Sequence, residues 1–293
     1  MMRIAVYARK YQSEYRSEIQ VILEFADQHD GYVMFNTNLK KEVSSQFSLP
    51  KNTQFYSGKD VLKGRADLVV SLGGDGTLLE TVNLIRDGGI PVMGVNFGRL
   101  GFLSNITRED LRTTLESFAG GNCRISPRTV LELENSENIF GEKVYALNDL
   151  ALHKSDNSSM ITVHVHINGL FMNSYWSDGL ILATPTGSTA YSLSCGGPIL
   201  VPESNNFVLT PIAPHNLTVR PLVIEDDAVL KLVPDGRSDT FILSMDSRQC
   251  IIQKNQEILV KKAPFKINFV QVADSGFFGV IRDKLMWGED KRN

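Results

Sequence analysis

Two different hydrophobic patterns divide this 293-residue sequence close to Arg124. Before that point, short apolar runs such as residues 66–72 alternate with segments such as 13–28, whose apolar residues recur at helical spacing. Alternating strands and helices are typical of a parallel sheet covered by helices. From residue 129 to 272, runs with a period of two follow one another between turn residues, which predicts an all-β unit.

The sequence therefore predicts two domains and a short tail. We expect an α/β domain with a parallel sheet over residues 1–123 and an all-β, sandwich-like domain over 124–272. Helical spacing resumes after residue 276. We expect the C-terminal segment, residues 273–293, to form a helix that returns to the first domain.

Charge, cysteine content and hydropathy argue against several classes of protein. Thirty Lys and Arg residues against 33 Asp and Glu residues give a net charge of −3, so we expect no broad attraction to nucleic acid or to a membrane. The cysteines, Cys123, Cys195 and Cys250, form no CxxC pair, which argues against a disulfide framework or a zinc ribbon. The sequence contains no run typical of a signal peptide or a membrane span, and we expect a cytoplasmic protein.

A glycine-rich turn is the first candidate for chemistry. Residues 73–77, Gly-Gly-Asp-Gly-Thr, follow a strongly apolar predicted strand and precede a predicted helix. Glycines let a backbone approach phosphate oxygens closely, and the free N–H groups at a helix N-terminus bind such oxygens. The turn is not a P-loop, because no Gly-Lys-Ser/Thr follows it. It is not the dinucleotide fingerprint either, because Leu79 stands where the last glycine is needed.

Three further segments have the composition of ligand-binding loops. Residues 96–102, which include Arg99, follow the next predicted strand and belong at the same edge of the sheet as the first turn. Residues 184–191 combine hydroxyl and small side chains with an aromatic ring, which suits hydrogen bonds and a flat base. Asn148 and Asp149 stand at the end of a neighbouring predicted strand. The alternative interpretation is a structural turn for residues 96–102 and a solvated turn for residues 184–191.

Two other patterns carry less weight. His164 and His166 alternate on a predicted strand and share a face, but no third metal ligand is recognisable. We therefore predict no metal site formed by the protein alone. Residues 187–188, Gly-Ser, lack the remainder of the G-x-S-x-G elbow, which argues against a hydrolase.

Taken in order, these motifs resemble those of the bacterial ATP-dependent NAD kinases. The segments that carry the resemblance are 73–77, 96–102, 148–149, 178–179, 184–191, 195–198, 211–215, 220–222 and 284–288. The resemblance implies transfer of the γ-phosphoryl group of ATP to the 2′-hydroxyl of the adenosine ribose of NAD, which gives NADP. It implies ATP as co-substrate, NAD as substrate, and a divalent metal, Mg²⁺, carried on the ATP phosphates. The first domain would then bind ATP and the second NAD.

The resemblance also assigns roles to residues. Asp75 would accept the proton of the ribose hydroxyl, Asn148 and Asp149 would hold the ribose and adenine, and Asp178 would orient the nicotinamide. The residues placed along the nucleotides are Gly74, Gly76, Arg99, Phe102, Asn148, Asp149, Ser159, Trp176, Asp178, Thr186, Thr189, Ala190, Tyr191, Ser192, Ser194 and Arg248.

Three positions depart from the pattern of the family. Asp149 stands where many relatives have Glu, and we expect the shorter carboxylate to keep the role. Trp176 stands where relatives often have Arg, and we expect some tolerance of NADH because an aromatic ring carries no charge that would select one redox form. Residues 246–248, Asp-Ser-Arg, replace a common Asp-Gly-Gln, and Arg248 could reach NAD or a partner subunit.

Other functions remain open from the sequence. One is another kinase with the Gly-Gly-Asp-Gly motif that acts on a lipid or a sugar alcohol. The other is an NAD(H)-binding module without turnover, against which the intact Asp75 argues. By the resemblance we expect nucleotides as partners, no nucleic acid or membrane, and a homodimer or homotetramer with the NAD site near a subunit interface. Whether ATP or polyphosphate is the donor stays undecided.

Overall fold

The computed structural model describes residues 1–57, 62–98, 101–155, 159–271 and 276–286. The chain divides into two compact units. Unit 1 comprises Met1–Pro127 together with the chain from Ile267, and unit 2 comprises Arg128–Lys266. Both limits lie a few residues from the predicted domain boundaries. Among the described residues, no helix is long and apolar enough to cross a membrane.

Strands and helices alternate through the first 119 residues. They are β1 (Arg3–Tyr7), α1 (Arg16–Gln28), β2 (Tyr32–Asn36), α2 (Lys40–Gln46), β3 (Gln54–Tyr56), β4 (Leu68–Leu72), α3 (Asp75–Ile85), β5 (Val92–Val95) and α4 (Leu111–Ala119). Strands predominate afterwards. The elements are β6 (Arg124–Leu133), α5 (Ser136–Phe140), β7 (Tyr145–Ala146), β8 (Asp149–Lys154), β9 (Ile161–Ile167), β10 (Leu170–Ser177), β11 (Gly179–Ala183), α6 (Tyr191–Ser194), β12 (Asn206–Ile212), β13 (Leu222–Glu225), β14 (Leu230–Asp235), β15 (Thr240–Met245), β16 (Arg248–Gln253), β17 (Ile258–Gln271) and α7 (Phe277–Leu285).

Unit 1 contains the predicted parallel sheet. Its strand order is β3-β2-β1-β4-β5, and Phe269 near the end of β17 pairs in parallel with β5. Every residue of β4 is buried, as expected for a strand that is covered on both faces. Helix α1 buries Ile19, Ile22 and Phe25 in the same core as the sheet residues. The predicted α/β architecture is confirmed.

The order of the sheet places three loops at one edge. Strand β4 lies between β1 and β5, and all three run in the same direction. The chain therefore leaves each of them at the carboxyl edge of the sheet. The N–H of Gly73, just after β4, donates to the carbonyl of Val95, the last residue of β5, at 3.1 Å. The predicted proximity of the first two loops is thus confirmed.

Unit 2 consists of two antiparallel sheets around one core. One has the order β10-β9-β14-β17 and the other β13-β12-β11-β8-β15-β16. Val163 and Val165 of the first sheet share a buried cluster with Leu180, Leu182 and Leu243 of the second. Facing sheets that share a core form a sandwich, as the alternating sequence predicts. The tail also forms the expected helix, α7, which belongs to unit 1.

Candidate functional site

The glycine-rich turn places Asp75 at the first position of α3, directly after the exposed Gly74. The carboxylate of Asp75 accepts hydrogen bonds from three consecutive backbone N–H groups. The donors are Phe102 at 2.8 Å, Leu103 at 3.2 Å and Ser104 at 2.8 Å. Asp75 therefore ties the loop that follows β5 to the start of α3.

Close contact with Gly101 explains one glycine of the second motif. A Cβ added at Gly101 would lie 1.9 Å from Oδ1 of Asp75, so a side chain there would displace the carboxylate. An ionised carboxylate offers about four acceptor positions. One hydrogen bond reaches Oδ2 and two reach Oδ1. Among the residues that the structure describes, one acceptor position on Oδ2 is left for a hydroxyl group of a ligand.

A cavity of about 550 Å³ adjoins this turn within unit 1. Its lining includes Arg9, Lys10, Tyr15, Gly73, Gly74 and residues 96–98. The guanidinium of Arg9 donates to the carboxylate of Glu80 at 2.8 Å and to the carbonyl of Gly76 at 3.0 Å. These two bonds hold the guanidinium over the glycine-rich turn. The cavity thus contains two cationic residues and lies at the N-terminus of α3. Backbone N–H groups at a helix N-terminus bind anions.

Arg9 and Lys10 were not among the residues predicted from the sequence. A usable signal existed, because both follow β1, whose neighbour in the parallel sheet is β4. Residues after parallel neighbours meet at one edge, so the chain after β1 had to approach residues 73–77. The predicted ligand residue Arg99 lies outside the described residues.

In unit 2, residues 147–149 are held from both sides. The carboxylate of Asp246 accepts their three N–H groups: Leu147 at 2.7 Å, Asn148 at 2.9 Å and Asp149 at 3.1 Å. On the other side, the N–H of Thr184 donates to the Asn148 carbonyl at 2.9 Å, and its hydroxyl donates to the Leu147 carbonyl at 2.5 Å. The backbone of this segment is therefore fully engaged.

The loop over residues 184–191 packs directly on this segment. A Cβ added at Gly187 would lie 2.0 Å from the carbonyl oxygen of Asn148, so only glycine allows the contact. The side chains of Asn148 and Asp149 have no hydrogen-bond partner among the described residues. Two motifs that are separate in the sequence thus form one surface, with an amide and a carboxyl group available to a ligand.

Asp149 is a buried carboxyl group next to a second one. Burial and the neighbouring Asp246 raise the pKa of Asp149 from 3.8 to about 7. Burial also raises the pKa values of Tyr191 and Cys195, with the charge of Asp149 as a further cause in both. The ring of Tyr191 stacks on His153 with centroids 5.6 Å apart. The predicted residues Asp149 and Tyr191 are therefore brought together.

A lysine accompanies the predicted residue Asp178. Nζ of Lys154 lies 2.7 Å from Oδ1 of Asp178. Two residues before Asp178, Trp176 is half-exposed. The centroids of the Trp176 and His215 rings lie 4.2 Å apart. Position 176 lacks the arginine that relatives often have there. The structure shows that a cation is nevertheless present at Asp178.

Other predicted residues are engaged within the protein. Ser192 is completely buried, and its hydroxyl shares a 2.8 Å hydrogen bond with Thr210. The Ser192 hydroxyl is thus engaged within the protein, and a contact of Ser192 with a nucleotide stays a prediction. Thr186 is also buried, and its hydroxyl accepts a long hydrogen bond from Arg128 at 3.5 Å.

The remaining predicted residues lie at or near the surface of unit 2. The guanidinium of Arg248 pairs with the carboxylate of Glu142 at 2.7 Å, so its reach toward a nucleotide stays a prediction. Partial or full exposure is shared by Ser159, Thr189, Ala190 and Ser194. Within the part of the chain that the structure describes, no three His, Cys, Asp or Glu side chains form a group that could hold a metal ion.

Comparison with known protein families matches both parts of the chain. Residues 11–123 match the model of the ATP-NAD kinase N-terminal domain. Residues 147–272 match the model of the ATP-NAD kinase C-terminal domain. The matched ranges contain the turn around Asp75 and the segment around Asn148.

Similar proteins extend over the whole chain. NAD kinases from Christiangramia forsetii and Flavobacterium psychrophilum are each 42% identical, over 100% of this chain and of their own length. Among solved structures, yeast NADH kinase complexed with NADH has a TM-score of 0.85 at 24% identity, covering 99% of this chain and 89% of that one. An NAD kinase from Archaeoglobus fulgidus in complex with ATP has a TM-score of 0.74 at 22% identity, covering 98% and 99%. These two structures share the fold.

Asp149 links the stability of the protein to pH. Its pKa of about 7 in the folded protein, against 3.8 ordinarily, means that ionisation opposes folding increasingly as the pH rises from about 4 to about 7. We expect Asp149→Asn to raise the free energy of unfolding by about 1–3 kcal/mol at pH 8 and to leave it nearly unchanged near pH 4. Urea unfolding across this range measures the difference. The exposed Asp239→Asn is the control, and a gain for Asp149→Asn that does not grow with pH would contradict the assignment.

Proposed function

The chain belongs to the NAD kinase family, and from that premise we propose how its residues transfer a phosphoryl group from ATP to NAD. The reaction gives NADP, with the 2′-hydroxyl of the adenosine ribose as acceptor. The observation that carries the proposal is the carboxylate of Asp75, which is fixed by three backbone N–H groups and keeps one acceptor position. A weakly acidic hydroxyl needs such a partner for alignment and for proton removal.

We propose that Asp75 accepts the proton of the ribose 2′-hydroxyl on Oδ2. As the hydroxyl oxygen forms its bond to the γ-phosphorus, the bond from that phosphorus to the bridging oxygen breaks and ADP leaves. The transition state of phosphoryl transfer is loose, so positioning and charge neutralisation supply most of the catalysis. A carboxylate that cannot rotate, because three N–H groups hold it, meets the positioning requirement.

The ATP phosphates, in this proposal, bind in the cavity of unit 1. Its supporting features are the helix start at Gly74 and the cationic residues Arg9 and Lys10. Phosphate oxygens there would meet backbone N–H groups and the cationic side chains of Lys10 and of Arg9, which is also paired with Glu80. The substrate is taken to be ATP with a divalent metal ion, Mg²⁺, on its phosphates, because Mg²⁺ commonly binds through phosphates and few carboxylates.

NAD, in this proposal, binds to the surface formed by residues 147–149 and 184–191 in unit 2. The available side chains of Asn148 and Asp149 would hold the ribose and adenine, and the partly exposed Tyr191 would contact the nucleotide by its ring. Asp178 would face the nicotinamide end. Residues along the same loop that would contact NAD, by side chain or backbone, are Thr189, Ala190 and Ser194.

Assembly and location are also proposed from the family resemblance. We expect a cytoplasmic homodimer or homotetramer with the NAD site near a subunit interface. Size-exclusion chromatography with light scattering measures the assembly, and a fully active monomer would contradict it.

The direct test is formation of NADP by the purified protein. With ATP, Mg²⁺ and NAD, an NADP-specific dehydrogenase should report product well above a control without enzyme. Parallel reactions with NADH and with polyphosphate define the acceptor and the donor. Binding of NAD by calorimetry without any NADP would instead support a nucleotide-binding module, and neither binding nor product would reject the proposal.

Asp75→Asn separates proton transfer from the role of Asp75 in holding the loop. Asparagine keeps one oxygen for the N–H groups of Leu103 and Ser104, but it turns a donor toward the N–H of Phe102. We expect kcat to fall at least ~100-fold because the base is lost. The dissociation constant for NAD should stay within about tenfold and the KM for ATP within about threefold.

The control for Asp75→Asn is Asp110→Asn. Asp110 is a surface carboxylate that precedes α4 and accepts a hydrogen bond from Thr107 at 2.7 Å. We expect this variant to keep kcat within about twofold, in line with ordinary surface substitutions. A rise in the KM for ATP that accounts for the whole loss in Asp75→Asn would show that Asp75 only holds the loop.

Lys154→Gln tests how charge at Asp178 selects the redox form. The nicotinamide ring is cationic in NAD and neutral in NADH, and Lys154 offsets the negative charge of Asp178 at 2.7 Å. Without the lysine, Asp178 should favour the cationic ring by about 1 kcal/mol, or roughly fivefold in the ratio of kcat/KM for NAD over NADH. The control is Lys231→Gln, which removes a surface ion pair with Glu257. An unchanged or reversed ratio in Lys154→Gln would place the nicotinamide elsewhere.

A further inference from the structure

We propose that Asp246 is a positioning residue for NAD binding, which acts through the backbone of residues 147–149 without touching the nucleotide. The inference rests on the proposed function, because it takes Asn148 and Asp149 as the groups that meet NAD. It goes further by assigning a role to the β15–β16 turn, where Asp246 lies two residues before Arg248.

The hydrogen bonds of Asp246 account for every N–H of the segment. Its Oδ2 accepts from Leu147 and its Oδ1 from Asn148 and Asp149, at 2.7, 2.9 and 3.1 Å. The backbone N–H of Asp246 in turn donates to the carbonyl of Asp149 at 3.1 Å. A backbone donor without an acceptor in a buried place costs about 1–3 kcal/mol. Three such donors would have no acceptor if the carboxylate were removed.

The turn itself does not require a carboxylate. Met245 pairs with Arg248 across a two-residue turn, and Asp246 has φ +50°. Turns of this kind with positive φ are satisfied by Asn or Gly as well as by Asp. The charged oxygens therefore need another explanation, and the three N–H groups of residues 147–149 supply it.

The carboxylate is retained despite an electrostatic cost. Asp246 faces Asp149, and burial raises the pKa of Asp246 to about 6, although its hydrogen bonds lower it. The charge of Asp246 in turn opposes ionisation of the buried Asp149. Such a local conflict is typical of functional sites, where geometry is maintained at the expense of stability.

The result is a segment whose backbone is fixed on both sides. Asp246 holds the N–H groups, and Thr184 together with the close contact at Gly187 holds the carbonyl groups. The side chains of Asn148 and Asp149 then project from a rigid backbone. Rigid presentation lowers the entropy lost when a ligand binds.

Asp246→Asn is the principal test. Asparagine suits the positive φ and keeps the shape, but it presents a donor to one of the three N–H groups. We expect the dissociation constant for NAD, measured by calorimetry, to rise at least ~10-fold. The KM for ATP should stay within about twofold, because the ATP phosphates are proposed to bind in unit 1. Asp246→Gly, which also accepts φ +50°, should weaken NAD binding at least as much.

The pH dependence of NAD binding supplies a readout that a general structural loss would not change. Among the described residues, the titratable groups that interact with Asp149 are Asp246 from the β15–β16 turn and Tyr191 and Cys195 from α6 and the residue after it, and His153 of β8 stacks on Tyr191. Removing the charge of Asp246 lowers the pKa of Asp149. The midpoint of the binding profile near pH 7 should therefore move about half a pH unit or more toward acid in Asp246→Asn.

Asp235→Asn is the matched control. Asp235, the last residue of β14, is likewise a carboxylate in unit 2 that accepts a backbone N–H, from Gly236 at 2.7 Å. It makes no hydrogen bond to residues 147–149. We expect its NAD dissociation constant, its pH midpoint and its KM for ATP to equal those of the wild type within about twofold.

The outcomes separate this inference from the proposed function. NAD binding by the wild type without NADP formation would reject the proposed catalysis. The NAD dissociation constants of the Asp246 variants would then decide the role of Asp246 by themselves. A change in the NAD dissociation constant below twofold in Asp246→Asn would overturn the inference. So would equal losses for NAD and ATP with an unmoved pH midpoint. If neither Asp246→Asn nor Asp246→Gly folds, Asp246 serves the fold and the inference is rejected.

Discussion

A carboxylate that accepts several consecutive backbone N–H groups organises the candidate site in each unit. Asp75 holds residues 102–104 in unit 1, and Asp246 holds residues 147–149 in unit 2. Loop N–H groups outside a strand ladder must find an acceptor elsewhere. A carboxylate meets this need well because its two oxygens accept about four hydrogen bonds. The free acceptor position on Asp75 and the available side chains of Asn148 and Asp149 both depend on these contacts.

The two carboxylates differ in what surrounds them. Asp75 stands at the start of a helix, beside a cavity with Arg9 and Lys10, where negative charge is favoured. Asp246 lies beside another buried carboxyl group, and burial together with the charge of Asp246 raises the pKa of Asp149 to about 7. The net charge of the chain is only −3, so phosphate binding must rely on local groups. Arg9, held over the turn by its hydrogen bonds to Glu80 and Gly76, is one of these groups.

Much of the fold and part of the site could be predicted from the sequence. The buried strand before residues 73–77 and the strand before residues 96–102 are neighbours in one parallel sheet, so their loops had to meet. The positions of Arg9 and Lys10 at the site were not predicted, because their short segment carries no motif. Their position follows only from the place of β1 beside β4. The role of Lys154 could not be predicted for a similar reason. It is an isolated lysine at the end of β8, and no sequence pattern indicates its ion pair with Asp178.

The sequence by itself determined the two classes of architecture and the positions of the loops. Hydrophobic periodicity and the positions of glycines depend only on a few adjacent residues. Strands, helices and glycine-rich loops can therefore be predicted before the fold is known. The tertiary structure alone decided which carboxylate meets which N–H group. Asp246 and Asn148 are 98 residues apart in the sequence, and Arg9 and Glu80 are 71 apart. Contacts at such separations follow from strand order and register, which join segments that share no local pattern.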